Sequence, residues 1–190
     1  ILLGILANPS RKSITAAYVL MGFTGHFSNL HRFVSRYRWD RQQFSLQLLT
    51  LIIKALSLDK EALVFALDDT LVPKYGRKIH GRSTHYDHCS KVNRPQYIQG
   101  LNWVVLALVH YVSPFHKWIA LPFLSQLYIK RDKLGENQEF KTRIQIAQGM
   151  VASLKRTLPN PLTLVTDALF ATRGLIGCCF REGVTFISRL

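Results

Sequence analysis

Asp68 and Asp69 follow directly on an apolar run, Ala62-Leu63-Val64-Phe65-Ala66-Leu67, and Asp167 follows another, Leu162-Thr163-Leu164-Val165-Thr166. In a chain with 25 Lys+Arg and 11 Asp+Glu, carboxylates at the ends of two predicted buried strands stand out from a random surface distribution. Carboxylate oxygens are the hard ligands that Mg²⁺ takes, together with retained waters. Two such ions stabilise the attacking and leaving oxygens of an in-line displacement at phosphorus, so the chemistry to expect is metal-assisted phosphodiester cleavage or transfer. The acids stand 98 or 99 positions apart (167 − 69, 167 − 68), and adjacent strands ending on the same side of one sheet would bring them together. Successive strand residues face opposite sides, so one of Asp68 and Asp69 is expected at the site. The apolar run leaves open which.

Between residues 71 and 100 the chain carries Lys74, Arg77, Lys78, Arg82, Lys91 and Arg94 with Asp87 as the one acid. A basic loop beside a phosphodiester site is a surface for DNA backbone. His85 and His88 in the same loop are expected to contact phosphate or to pack. His80, His85, His88 and Cys89 lack the second ligand pair that zinc sites usually repeat. Neither a nucleophile-elbow motif nor a GxxxxGK[ST] loop is present, which argues against serine-hydrolase and P-loop chemistry. Trp39, Trp103 and Trp118 are read as core residues.

The formal net charge is +14 and is spread along the chain: residues 1 to 57 hold seven basic groups and one acid, residues 58 to 100 seven and five, and residues 101 to 190 eleven and five. Such a charge favours a polyanion partner through counterion release. An apolar content of 48% over 190 residues supports a real core in one or two domains. Cys89, Cys178 and Cys179 are odd in number without CxxC spacing, which fits a reduced cytoplasmic, nucleoid-associated protein. Leu101 to Leu124 is mostly apolar, but His110, Pro114, His116, Lys117 and Pro122 interrupt it, so two strands joined at Ser113-Pro114 are expected rather than a membrane span.

Two parts have to position these residues. Residues 1 to 57 read as a helical, DNA-binding region: Leu30, Phe33, Val34 and Tyr37 recur at helical spacing behind a Ser28 N-cap, and Leu46 to Leu56 form a second apolar helix. Residues 58 to 190 read as strands near 62–68, 102–112 and 117–124, a helix over 137–154, a strand at 162–166, a helix over 172–180 and a strand at 184–188. The order βββαβαβ implies a mixed sheet, antiparallel first and parallel after, in an α/β ribonuclease H-like topology.

The block Leu67-Asp68-Asp69-Thr70-Leu71-Val72-Pro73-Lys74-Tyr75-Gly76, followed by His80-Gly81, His85-Tyr86-Asp87-His88 and Gly100-Leu101-Asn102, resembles the first catalytic block of bacterial insertion-sequence transposases of the DDE superfamily. Leu164-Val165-Thr166-Asp167-Ala168-Leu169-Phe170 resembles their second block, and His26 to Trp39 is similar to the helical region before their catalytic domain. The resemblance implies a ribonuclease H-like core that uses two Mg²⁺ ions, with Mn²⁺ as a substitute, to cut transposon ends and join them to target DNA, as a homodimer on DNA. It assigns Asp68 or Asp69 together with Asp167 to the metals. It also implies a third acid, a Glu on a helix after the last core strand, expected beyond Leu190. Glu182 has a turn-like setting and is not given that role. The chain opens on Ile1 without Met and is expected to be a piece of a longer protein, inactive by itself. Two other readings fit the same residues: a decayed remnant that still binds DNA, and a ribonuclease H-like nuclease that does not join ends.

Overall fold

The computed structural model describes residues 13–22, 24–87 and 95–189, which divide by contact into two compact units, residues 1–41 and 42–190. In the first unit, α1 (Ile14–Leu20) begins at Ser13, whose hydroxyl accepts from the Ala16 amide. The next helix, α2 (Phe27–Ser35), begins at His26, whose ring accepts from the Ser28 amide. His26 rather than Ser28 is therefore the N-cap, and the Ser28 hydroxyl lies in the first turn, bonded to the same ring. Tyr18 of α1 meets Phe27 of α2 edge to face at 5.7 Å. Phe33, Val34, Tyr37 and Trp39 are exposed, with the Phe33 ring meeting those of Tyr37 and Trp39 at 5.9 and 4.6 Å, and Trp39 is not a core residue.

The second unit takes in α3 (Arg41–Ala55) from its second residue on, and this helix buries Leu49 and Ile53 in the main core. By packing it belongs with the sheet, although its sequence groups it with the helices before it. The strands follow as β1 (Leu63–Pro73), β2 (Ser83–Tyr86), β3 (Tyr97–Val112) and β4 (Lys117–Tyr128). Then come α4 (Arg143–Thr157), β5 (Leu162–Thr166), α5 (Arg173–Arg181) and β6 (Val184–Ser188). The sheet order is β2-β3-β1-β5-β6, with β4 also paired to β3. Pairs β1–β3, β2–β3 and β3–β4 are antiparallel; β1–β5 and β5–β6 are parallel. This is the mixed α/β sheet expected from βββαβαβ, with one added short strand, β2.

One face of the sheet carries the core. Phe65 and Leu67 of β1, Leu106 and Leu108 of β3 and Leu164 of β5 meet Ala147, Val151 and Leu154 of α4 and Leu175 and Cys179 of α5. Alternation puts every second strand residue on that face, which is why β1 and β5 read buried, intermediate, buried over their apolar stretches. The segment Leu101–Leu124 is the β3–β4 hairpin, turned by a 3₁₀ segment at Ser113–Phe115, and no described helix is long and apolar enough to cross a membrane.

Three expectations are corrected. β1 does not stop at Asp68: pairing to β3 continues to Pro73↔Gly100, while pairing to β5 ends at Leu67↔Thr166. The acids thus mark the end of the parallel ladder, not of the strand. The helix expected from 137 starts at Arg143, because the Thr142 hydroxyl and Gln145 side chain form a reciprocal capping box that fixes the first turn there. Phe140 lies before it, packed near Tyr128 and under Arg131. Trp118 is 69% exposed because it stands near the start of β4, and β4 is paired on one side only, to β3.

Gly100 pins the far end of the β1–β3 ladder, since a Cβ there would stand 2.5 Å from the Val72 carbonyl oxygen. Gly100→Ala is expected to lower the unfolding free energy by about 1–3 kcal/mol, the usual penalty for overpacking. Urea denaturation followed by circular dichroism measures it, and an unchanged midpoint would show that this strand contact is not tight.

Candidate active site

Parallel register brings two of the acids together. Leu67 lies opposite Thr166, so Asp68 and Asp167 take the next step on neighbouring strands. Asp167 keeps extended backbone, φ −80° and ψ 177°, before the 3₁₀ turn Ala168–Phe170. Both acids alternate away from the buried residues Leu67 and Thr166 that precede them, so both sit on the sheet face opposite the main core, and both are exposed. Partial loss of hydration pushes the Asp68 carboxyl above the ordinary 3.8, the charges of Asp167 and Asp69 add to the rise, and the Asp69 amide, which donates to Asp68 Oδ1 at 2.7 Å, opposes it. Among the described residues neither Asp68 nor Asp167 forms an ion pair.

Asp69 points the other way, toward the core face. Its Oδ2 accepts from Asn102 Nδ2 at 2.9 Å and from Arg143 Nη1 at 2.5 Å. Arg143 is the first residue of α4 and lies over the Tyr128 ring at 5.7 Å. The first turn of α4 contains no acid, and the Asp69 carboxylate supplies the negative charge that a helix N-terminus favours. Asn102 is 5% exposed, and its Oδ1 is the one buried side-chain polar atom without a partner among the described residues. Adjacent residues of one strand thus serve two sites: Asp68 joins Asp167, and Asp69 ties β1 to β3 and α4.

The basic loop splits in the same way. Arg77, Lys78 and Arg82 line an open concavity of about 690 Å³, together with Lys130 and Lys133, which sequence reading did not single out. Lys130 donates to the Thr84 carbonyl at 2.6 Å, joining the end of β4 to β2. Lys74 lines a neighbouring hollow of about 400 Å³ with Tyr75 and Tyr97. His85, expected to contact phosphate or to pack, is packed: it is 8% exposed, and its Nε2 bonds the Ser83 hydroxyl at 2.7 Å. Burial first, then the charges of Lys130 and Arg143, push its pKa below the ordinary 6.5. His88, Lys91 and Arg94 lie outside the described residues, as does Cys89.

A buried Asn in a strand needs a partner, and that rule was the available signal for the Asp69–Asn102 bond. Arg143 and the Lys130–Lys133 pair carry no such signal, because their positions follow from where α4 starts and where β4 ends. The buried, free Cys178 and Cys179 have raised pKa values, Cys179 up to about 11, chiefly from burial, so neither is a reactive thiol. Among the described residues no group of three or more His, Cys, Asp or Glu gathers as a metal cluster. The two converging carboxylates offer the oxygen donors that suit Mg²⁺ or Mn²⁺, with further positions left for water or another acid.

The sequence profile of the family described as DDE superfamily endonuclease matches residues 1–190. No curated protein matches the chain in sequence. Among solved structures, the piggyBac transposase synaptic complex with hairpin DNA aligns over 98% of this chain and 38% of its own at 13% identity and a TM-score of 0.40. The Mos1 strand transfer complex aligns over 97% of this chain and 55% of its own at 11% identity and a TM-score of 0.29. The Mos1 paired-end complex with the left transposon end aligns over 96% and 55% at 12% identity and a TM-score of 0.30. The chain thus spans 38 to 55% of the length of these proteins.

Two measurements separate the roles of the acids. Arg143→Ala is expected to destabilise the fold by roughly 2 kcal/mol, as for loss of a hydrogen bond to a charged group. Asp68→Asn is expected to leave stability unchanged or raise it, because it removes a charge that the fold disfavours. Equal losses in urea denaturation for both variants would contradict the division. For His85 the depressed pKa means that the fold prefers neutral imidazole. The stability it contributes is present above 6.5, the ordinary value, and is lost as pH falls through the lower folded value. Denaturation midpoints should fall on acidification in this range, and His85→Gln should flatten that limb.

Proposed function

Since the chain belongs to the DDE superfamily endonucleases, we propose that it is part of a transposase that cuts DNA at the ends of a mobile element and joins them to target DNA. The observation that carries this reading is the meeting of Asp68 and Asp167 on one sheet face at neighbouring ends of the parallel β1–β5 pair. Asp68 and Asp167 are the carboxylates that hold the divalent metal, two Mg²⁺ ions or Mn²⁺ in their place, and Asp69 supports them from the opposite face. Such ions, when bound, supply Lewis-acid stabilisation of the attacking and leaving oxygens. A third carboxylate completes the set that Asp68 and Asp167 begin.

The chain's own residues do the rest. Asp68 and Asp167 concentrate negative charge where a cation is to sit, without a lysine or arginine salt bridge to compete for it. Lys74, Arg77, Lys78 and Arg82 follow β1 beyond the acids and hold DNA backbone, which fixes the register of the duplex without reading its sequence. Pro73 is five residues past Asp68 on β1, which puts the basic loop about 17 Å further along the strand. The helices α1 and α2 bind the element's terminal DNA, and the complex works as a homodimer on DNA.

In the full-length protein, Asp167→Asn is expected to abolish Mg²⁺-dependent strand cleavage while DNA binding stays within about twofold, because the change removes a ligand and adds no bulk. Cleavage and gel-shift assays on the element's end sequences read both. Retained cleavage would overturn the assignment of Asp167. Cleavage without joining in a strand-transfer assay would identify a nuclease instead of a transposase. Residues 1–190 by themselves are expected to bind DNA without cutting it, with an affinity that falls on a log–log plot against salt by roughly 0.9 per phosphate neutralised on duplex DNA.

A further inference from the structure

Two concavities adjoin beyond the carboxyl end of β1, and their linings differ in chemistry. The first, of about 690 Å³, is cationic: Arg77, Lys78, Arg82, Lys130 and Lys133 line it against one acid, Asp132, which Lys133 already meets at 3.7 Å. The second, of about 400 Å³, is lined by Pro73, Tyr75, Pro95, Tyr97 and Ile98, with Lys74 as a cation of its own. Arg82 and Gln99 line both. Arg82 also bonds the Lys74 carbonyl at 3.4 Å, bridging the start and end of the loop between β1 and β2.

Tyr75 is 90% exposed and Tyr97 is 65% exposed. Tyr97 is steadied at the start of β3 by an edge contact with the Tyr86 ring at 5.6 Å. A tyrosine left almost wholly in water beside guanidinium and ammonium groups contributes little to folding. A π-face beside a cationic groove is instead the arrangement by which proteins hold unpaired bases, since every base can stack on it while its phosphate pairs with the cations.

We propose that these two hollows form one site for single-stranded DNA. Tyr75 and Tyr97 stack an unpaired base, Arg82 spans base and backbone, and Arg77, Lys78, Lys130 and Lys133 take the adjoining phosphates. Duplex DNA offers phosphates to the cationic hollow but keeps its bases stacked and out of reach of the aromatic one, so the site discriminates strand state. The inference rests on the DNA-cutting function proposed above only for its biological setting: strands that part near a cut are where such a site acts. The binding itself needs neither metal nor the acids Asp68 and Asp167.

The test uses the chain as it stands, without divalent metal, and fluorescence anisotropy with a labelled dT₁₂ strand and a 12-base-pair duplex. Tyr75→Ala is expected to weaken dT₁₂ binding roughly fivefold or more, the loss of one stacked base, while duplex binding changes less than twofold. Tyr75→Phe should keep the wild-type affinity, because it retains the stacking face. Arg82→Ala should weaken both ligands and reduce the salt slope for dT₁₂ by about 0.7. Equal losses for strand and duplex on Tyr75→Ala, or no loss for either, would overturn the proposal. Tyr75 is so exposed that its replacement leaves the fold intact, which circular dichroism verifies. Cleavage by the unmutated full-length protein is the separating readout: its absence, together with a loss of dT₁₂ binding on Tyr75→Ala that spares the duplex, would sink the catalytic reading and leave this site standing.

Discussion

The parallel pairing of β1 with β5 is the constraint on which the rest depends. It ends at Leu67↔Thr166, and at that point β1 still has six residues to run against β3. Where the ladder stops, the backbone of β5 turns away through Ala168–Phe170, and the two residues at the break are both aspartates. A parallel pair in register puts equivalent positions side by side, so one register fixes which carboxylates meet. A slip by one residue would set Asp69 beside Asp167 and turn Leu67 out of the core. Burial of Phe65, Leu67 and Leu164 under α4 and α5 therefore selects the site as firmly as it selects the fold.

The same alternation explains why two adjacent acids are present. On the core face, the carboxylate of Asp69 would be costly without partners, and Arg143 and Asn102 provide them. On the open face, partial loss of hydration, with the charges of Asp167 and Asp69 added, raises the pKa of Asp68. One acid is neutralised by the protein and the other forms no ion pair among the described residues. That asymmetry is visible only when both faces of the strand are considered together.

Beyond the acids, the molecule arranges cations by elements far apart in sequence. The loop after β1 supplies Arg77, Lys78 and Arg82, and the end of β4 supplies Lys130 and Lys133. Strand β2 and the contact of Lys130 with the Thr84 carbonyl bring the two groups together. Gly81, at φ +73°, makes the turn that starts β2, and the space a Cβ would need there is taken by Leu127 of β4. A long basic loop is thereby folded back against the sheet as a concave surface.

Much of the architecture was legible in the residues. The apolar runs ending in Asp68 and Asp167, the strands at 162–166 and 184–188, and the βββαβαβ order follow from hydrophobic periodicity, because burial on one face imposes a period that the sequence must carry. The strand β2 was not legible: Ser83-Thr84-His85-Tyr86 has no apolar alternation and is a strand by its antiparallel pairing to Tyr97–Gly100 of β3. The start of α4 depended on a capping box whose hydrogen bonds outweigh the apolar face running back to Phe140. Trp118 was misjudged because residue type suggests burial but neighbours decide it, and it stands near the start of β4, a strand paired on one side only, whereas His85 packs beside Ser83 and Tyr128, one of the two settings expected for it. The sequence by itself determined that two carboxylates end buried apolar runs in a strongly basic chain. Only the tertiary structure decided which aspartate of the pair faces Asp167, because that depends on strand register and on which sheet face α4 and α5 cover, and both arise from contacts between residues about a hundred positions apart.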